Sequence, residues 1–197
     1  DEGPMRIHKF LAQAGVCSRR EAERLVAGGE VFINGKVAAT GQPVDPAVDV
    51  VKCRGQHIKP LARTVVLMMN KPRGFLCTND DSHGGQTVFD MVPPEYRPLR
   101  LFCVGRLDKD SEGLLLLTND GALANKVMHP SGGVIKRYEI TLNRDYDPTL
   151  TPRLLKGAVE EGEMLRFKKV IRHPEDPTRL EIHLDQGRKR EIRRLLE

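Results

Sequence analysis

No apolar run in the chain approaches the roughly 20 residues that a membrane-spanning helix needs. The longest, Val65–Met69 and Leu114–Leu117, are strand-sized. No apolar stretch follows Asp1 closely enough to read as a secretory signal. Cysteine is sparse: Cys17, Cys53, Cys77 and Cys103 are scattered, and no two form a C-x-x-C pair. Neither a zinc site nor a disulfide framework is expected from that spacing, and a cytoplasmic location fits it. The six histidines (His8, His57, His83, His129, His173, His183) include no H-x-x-x-H pair and no His/Cys cluster, so no metal is expected. Gly84-Gly85 sits in a polar stretch, Asn79–Gln86, but no lysine-serine/threonine pair follows it, which excludes a phosphate-cradling P-loop. No cofactor motif, internal repeat or low-complexity segment is visible.

What is present is a core and a basic surface. Of 197 residues, 39% are hydrophobic, enough for one or two small folded domains. Lys and Arg number 32 against 27 Asp and Glu, a net charge of +5, and the pI is about 9.1. The cations are clustered: Arg19, Arg20 and Arg24; Arg166, Lys168, Lys169 and Arg172; Arg188, Lys189, Arg190, Arg193 and Arg194. Any one cluster reads as solvated surface. Three of them, each able to set like charges on one face, make a polyanion such as nucleic acid the leading partner class, with no membrane involved.

Near the start, Ile7, Phe10, Leu11 and Ala14 fall at i, i+3, i+4 and i+7, the apolar stripe of a helix over Arg6–Val16. Gly15 stops it. Ser18 with Glu21 three residues on forms an S-x-x-E capping box that starts a second helix, with Ala22, Leu25 and Val26 on its buried face. Val31-Phe32-Ile33, Asn34-Gly35 and Lys36-Val37 spell a β-hairpin, because Asn-Gly tolerates positive φ at both central positions. Val48–Cys53 reads as a further strand. This stretch, about Met5–Ile58, resembles an S4 domain through Arg6–Ala12, Ala14-Gly15-Val16, Ser18-Arg19-Arg20 and Gly29-x-Val31-x-Ile33-Asn34-Gly35. The resemblance implies binding of structured RNA through Arg19, Arg20, Arg24, Asn34 and Lys36.

A linker at 59–63 carries Pro60. Beyond it short strands recur at Val65–Met69, Leu101–Val104, Leu114–Leu117, Tyr138–Leu142, Met164–Val170 and Leu180–Leu184. Tyr138, Ile140 and Leu142 alternate with polar residues, as do Leu180, Ile182 and Leu184, the period of half-buried strands. Helices are expected at Gly121–Met128, Pro148–Leu155 and from near Arg190. The pattern predicts an α+β domain over 64–197 around a mostly antiparallel sheet. Asp1–Pro4 reads as a leader or a cloning remnant. The last amphipathic helix is still running at Glu197, so a continuation of the fold is expected.

The densest chemistry lies in Gly105-Arg106-Leu107-Asp108-Lys109-Asp110-Ser111-Glu112-Gly113-Leu114-Leu115, which joins two strands. On its charges alone it is either a self-neutralising surface turn or a loop whose carboxylate acts as nucleophile or base beside an arginine. Leu107 and Leu114 read as core. Gly105-Arg106-Leu107-Asp108 with Ser111–Leu115 closely resembles the catalytic loop of RNA pseudouridine synthases, in particular the ribosomal small- and large-subunit uridine synthases that carry an S4 domain. Asn70-Lys71-Pro72-x-Gly74, Thr118-Asn119-Asp120-Gly121-x-Leu123-Ala124, His129-Pro130, Lys136-x-Tyr138 and Gly187-Arg188-x-Arg190-Glu191-Ile192-Arg193-Arg194-Leu195 stand in the family's order.

The resemblance implies a small N-terminal S4 domain followed by a synthase domain. The activity implied is isomerisation of uridine to pseudouridine in ribosomal RNA, the large-subunit RNA rather than the small, with no cofactor. Asp108 matches the essential aspartate, as nucleophile at C6 or C1′ or as base at the sugar. Tyr138 matches the tyrosine that stacks on the target base. Arg193 matches the partner of the aspartate, with Arg194 adjacent. Arg106 would fill the stack vacated by the extruded nucleotide. Arg188, Arg190 and Arg194 would face RNA. Lys71, with Pro72 and Gly74, would shape the sheet beneath the site and touch phosphate. His129-Pro130 would be a turn. The expected partner is ribosomal RNA or a ribosome assembly intermediate, met by a monomer; a non-catalytic assembly factor is the alternative.

Overall fold

The computed structural model describes residues 3–60, 63–78, 84–188 and 190–197. The chain falls into two compact units, Asp1–Gly121 and Ala122–Glu197. No helix among the described residues is long and apolar enough to cross a membrane.

The first unit begins with a two-residue strand β1 (Met5–Arg6), helix α1 (Ile7–Gln13) and helix α2 (Arg19–Ala27). Ser18 caps α2 as its spacing predicts: its hydroxyl accepts from the Glu21 amide at 3.2 Å. The Ala14 and Gly15 amides close α1 on Phe10 and Ala12 carbonyls, and Gly15 turns the chain at φ 76°. Strands β2 (Val31–Ile33), β3 (Lys36–Val37), β4 (Pro43–Val44), β5 (Val51–Cys53) and β6 (Gln56–Ile58) follow. They form a four-stranded sheet in the order β3-β2-β5-β6 and a small β1-β4 pair. Asn34 and Gly35 hold φ of 52° and 80°, the positive pair that a tight hairpin requires. Ile7, Phe10, Leu11, Ala22, Leu25, Val26, Val31, Ile33, Val44 and Val51 pack into one core. Each fully buried side chain of the larger sort contributes about 1.5–3 kcal/mol.

The same unit carries β7 (Val66–Lys71), β8 (Phe102–Val104) and β9 (Gly113–Thr118), an antiparallel sheet in the order β7-β9-β8. Leu67 pairs with Leu117 and Met69 with Leu115. These residues and Cys103 pack with Val88, Val92 and Leu101 into a second core. The register decides which leucines are inside. Leu114, expected in the core, stands opposite Asn70 and is 67% exposed, because the alternation that buries Leu115 and Leu117 turns it to the other face.

Helix α3 (Gly121–Met128) leads into the second unit, with β10 (Lys136–Thr141), α4 (Thr151–Lys156), β11 (Ala158–Glu160), β12 (Glu163–Leu165), β13 (Lys169–Arg172), β14 (Arg179–Leu184) and α5 (Glu191–Leu196). Its sheet runs β10-β14-β13, and β11-β12 is a separate hairpin. The strand expected over Met164–Val170 is split. The Phe167 amide bonds to the Leu154 carbonyl and the Lys168 amide to the His183 carbonyl, so the chain changes partners between β12 and β13. Tyr146, Leu154, Phe167, Leu180, Ile182 and Leu184 form the core, with Ile192, Leu195 and Leu196 of α5 packed against it. Pro148 opens a 3-10 turn ahead of α4, which divides the helix expected over Pro148–Leu155.

Candidate active site

The loop between β8 and β9 leaves one strand at Gly105 (φ 83°) and enters the next at Gly113 (φ 130°), backbone shapes that a side chain disfavours. Arg106 is exposed and Asp108 half-buried. The Ser111 amide closes a turn on the Asp108 carbonyl at 3.0 Å.

The loop is held from beneath by Lys71, the last residue of β7. Its side chain is fully buried. Its ammonium donates to the carbonyls of Asp108 (3.1 Å), Lys109 (3.3 Å), Ser111 (2.6 Å) and Pro72 (3.1 Å). Three N–H donors shared among four carbonyls satisfy a buried cation without a carboxylate. The Gly74 amide, at φ 92°, adds a 2.7 Å bond to the Lys109 carbonyl. The Asn-Lys-Pro-x-Gly motif is thus a docking device for the Asp108 loop. The expectation that Lys71 touches phosphate is corrected: a fully buried ammonium encircled by backbone carbonyls has nothing to offer RNA. On the neighbouring side of the loop the Leu107 amide points at the Cys77 sulfur, 3.5 Å away.

The Thr-Asn-Asp-Gly motif at the end of β9 is also structural. Thr118 Oγ1 donates to the Val65 carbonyl at 2.7 Å and accepts from the Asp120 amide at 3.0 Å. Asn119 takes the Val65 amide at 2.9 Å and gives to the Arg63 carbonyl at 3.0 Å. Together they fasten the start of β7. Neither role is visible in the sequence, because the partners at Arg63 and Val65 lie more than 50 positions away.

In the second unit, Tyr138 sits opposite Ile182 and is half-buried against the core. Lys136 lies on the same face of β10, its ammonium beside Gly187, where a Cβ would lie 3.1 Å from it. Glu191, buried at the start of α5, accepts from the Arg166 amide (3.2 Å), Gln186 Nε2 (2.7 Å) and the Arg188 amide (3.3 Å), tying two loops to the helix. Glu191 stands in the last motif of the sequence, where a carboxylate inside a basic helix is its signal. Ile192 and Leu195 turn to the core, and Arg193 is exposed. Arg194 has a different place. Its guanidinium binds Glu160 at 3.0 Å and Glu163 at 2.9 Å, and its side chain is only 15% exposed. Arg188 adds a 3.4 Å contact to Glu163. The Arg194 hydrogen bond holds the Glu163 carboxyl below the usual carboxylate range. Arg194 was expected to face RNA, and it fastens α5 to the β11-β12 hairpin.

His129 heads a turn as expected, its Nδ1 accepting from the Ser131 amide at 3.1 Å. Among the RNA-facing candidates of the first unit, Arg19, Arg20, Arg24 and Lys36 are exposed. Arg20 and Arg24 lie one turn apart on α2, and Arg24 makes only an exposed 3.6 Å pair with Glu21, worth little in water. The Asn34 amide is taken up by the fold, giving to Asp49 at 2.8 Å and accepting from the Val50 amide at 2.9 Å. Arg190 is exposed at φ 51°. Lys189, His83, part of the linker at 59–63 and most of the Asn79–Gln86 loop lie outside the described residues.

A Lys-anchored aspartate loop behind a helix–helix–hairpin module is the arrangement that comparison with known proteins can place. Residues 65–197 match the RNA pseudouridylate synthase family and residues 5–50 match the S4 domain. The chain belongs to the RNA pseudouridylate synthase family. It is 39% identical over 198 residues to ribosomal large subunit pseudouridine synthase B of Vibrio cholerae serotype O1, covering 98% of this chain and 61% of that protein. It is 41% identical over 199 residues to an uncharacterised RNA pseudouridine synthase of Mycobacterium leprae, covering 98% and 77%. A solved pseudouridylate synthase shares the fold, with a TM-score of 0.64 at 24% identity over 98% of this chain and 82% of that one. The chain therefore spans less than two thirds of the Vibrio relative's length.

Proposed function

We propose that this chain isomerises uridine to pseudouridine in ribosomal RNA, with Asp108 as the essential carboxylate. The observation that carries the reading is the Asp108 loop, whose backbone is docked on the buried Lys71 ammonium through the carbonyls of residues 108, 109 and 111. A reacting group on such a loop is fixed before substrate arrives, which lowers the cost of orienting it. In the reaction the N1–C1′ bond breaks, uracil rotates, C5 bonds to C1′, the C5 proton passes to water and N1 regains a proton. The sum is an isomerisation that consumes no co-reactant. Asp108 acts as nucleophile at C6 or C1′, or as base at the sugar. A covalent route divides one difficult exchange into two easier steps.

In this reading Tyr138 is the flat platform for the base, Arg193 is the cation that keeps the carboxylate ionised, and Arg106 replaces the extruded nucleotide in its stack. Residues 5–58 are the RNA-holding domain, through Arg19, Arg20, Arg24 and Lys36, and 64–197 the catalytic domain. Such cations suit phosphates better than base edges, because the A-form major groove is too narrow to read. The large-subunit RNA, free or in an assembly intermediate, is the preferred substrate, as the Vibrio relative's name supports. RNA tritiated at uridine C5 tests this. Wild-type protein releases label to water and Asp108→Asn releases none above background. Release by the variant removes Asp108 from its role, and RNA binding without release by wild type makes the chain a non-catalytic binder.

A further inference from the structure

The first unit holds a cavity of about 300 Å³ that the reaction does not use. Helix α2, the β5-β6 hairpin and Arg100, ahead of β8, line it. Its floor is apolar: Cys17, Leu25 and Cys53 are buried, and Ile58 is half-buried. Its mouth is polar. Arg54, Gln56 and Arg100 are exposed there, and Glu21 is half-buried on α2. The volume lies at the lower end of the range for small-molecule sites, and an apolar floor with a few polar groups is their usual lining.

Two features set its arginines apart. Both hold left-handed backbone, at φ 52° for Arg54 and 44° for Arg100. Arg54-Gly55 is the turn of the β5-β6 hairpin, the counterpart of Asn34-Gly35 between β2 and β3. Asparagine, aspartate and glycine suit the first position of such a turn, so an arginine gives the backbone nothing there. Strained residues of this kind collect at ligand clamps. Nor is either guanidinium locked into the fold. Arg54 makes an exposed 3.4 Å pair with Glu30, which water screens. No carboxylate pairs with Arg100 among the described residues. Both charges reach the floor: burial raises the Cys17 thiol, and Arg100 and Arg54 pull against it.

We propose that this cavity seats one unstacked nucleotide of the RNA, with its base on the apolar floor and its phosphate between Arg54 and Arg100. The base buries its faces against Leu25, Ile58 and the two thiols, as extruded bases do against apolar side chains. The Glu21 carboxylate accepts from a base N–H, and the Gln56 amide both gives and accepts. The guanidiniums take the phosphate through charge-assisted hydrogen bonds. A duplex has no free base to offer, so the seat selects a loop, bulge or end. Arg24 is the chain neighbour of Leu25, so a strand held on α2 passes the mouth. The RNA source rests on the proposed ribosomal RNA reading; the nucleotide chemistry does not.

Arg54→Asn with Arg100→Asn tests the seat, because asparagine suits both backbone shapes. The full chain is assayed with a large-subunit ribosomal RNA transcript. The variant should bind on the order of tenfold more weakly, with the slope of log affinity against log salt lower by about 1 and a urea midpoint no lower than wild type. Unchanged affinity overturns the proposal. Ultraviolet crosslinking with peptide mass spectrometry should place RNA on the peptides carrying Cys17, Cys53 or Gln56 in wild type and not in the variant. Weaker binding by the variant with no such crosslinks in wild type means that the arginines meet phosphate outside the cavity, and overturns the seating of a base. The four nucleoside 5′-monophosphates are titrated against the protein alone at millimolar concentration. NMR shifts of the Gln56 side-chain amide are expected, and adenosine without its phosphate should give weaker ones. No shift from any of the four overturns the nucleotide seat. Nucleotide binding without RNA crosslinks overturns the RNA source. Crosslinks at the cavity with no tritium release from C5-labelled RNA uphold the seat and count against the synthase reading.

Discussion

Lys71 and the arginines of α2 are cations of one chain, and the structure uses them in opposite ways. Lys71 is fully buried, and its three donors go to backbone carbonyls. Arg20 and Arg24 stand in solvent, and the one ion pair seen there is long and exposed. The first builds the loop on which a carboxylate is displayed; the second presents charge outward. Arg194 lies between these extremes, a partly covered arginine committed to two glutamates. Charge alone does not distinguish a binder from a scaffold. Burial and the chemistry of the partners do, since a cation satisfied by protein has no donors left for phosphate.

The comparison can be broken at each cation. The largest effect after loss of Asp108 belongs to Lys71→Met. It takes the ammonium from four carbonyls, of which those of Asp108 and Lys109 keep the Ser111 and Gly74 amides, and a loss of about 3 kcal/mol in urea unfolding is expected. The salt dependence of RNA binding should not change in that variant; a flattened slope would return Lys71 to the RNA surface. Arg20→Ala with Arg24→Ala should do the reverse, leaving the urea midpoint in place and lowering the slope of log affinity against log salt by about 2. An unchanged slope means that α2 does not touch RNA.

The smallest effect concerns Glu163. Its carboxyl is depressed in the folded protein by Arg194, so its contribution is full above the unfolded carboxylate range and disappears as the pH falls through the lower folded value. Glu163→Gln should therefore melt below wild type near neutrality and match it in acid. A difference that persists in acid would mean that the pair does not anchor α5.

Much of the first unit was legible in the sequence, because its signals are local. The stripe Ile7, Phe10, Leu11, the Ser18 cap and the Asn34-Gly35 turn each specify backbone shape within a few residues. The order of motifs was legible too, and it matches the synthase family over residues 65–197. The meaning of Lys71, Thr118, Asn119 and Glu191 was not. Each acts on partners that folding delivers from elsewhere in the chain: 37 to 40 positions for Lys71 and the loop, 25 for Glu191 and Arg166.

Composition, turn chemistry and apolar period thus determined that this chain forms a helix–helix–hairpin module followed by short antiparallel strands with an acidic-basic loop between two of them. Only tertiary structure decided that Leu114 faces outward, that the strand expected over Met164–Val170 divides, and that a lysine in a motif belongs to the protein's own backbone. Strand register and the burial of a charge are settled by what lies across the sheet, and sequence spacing carries no record of that.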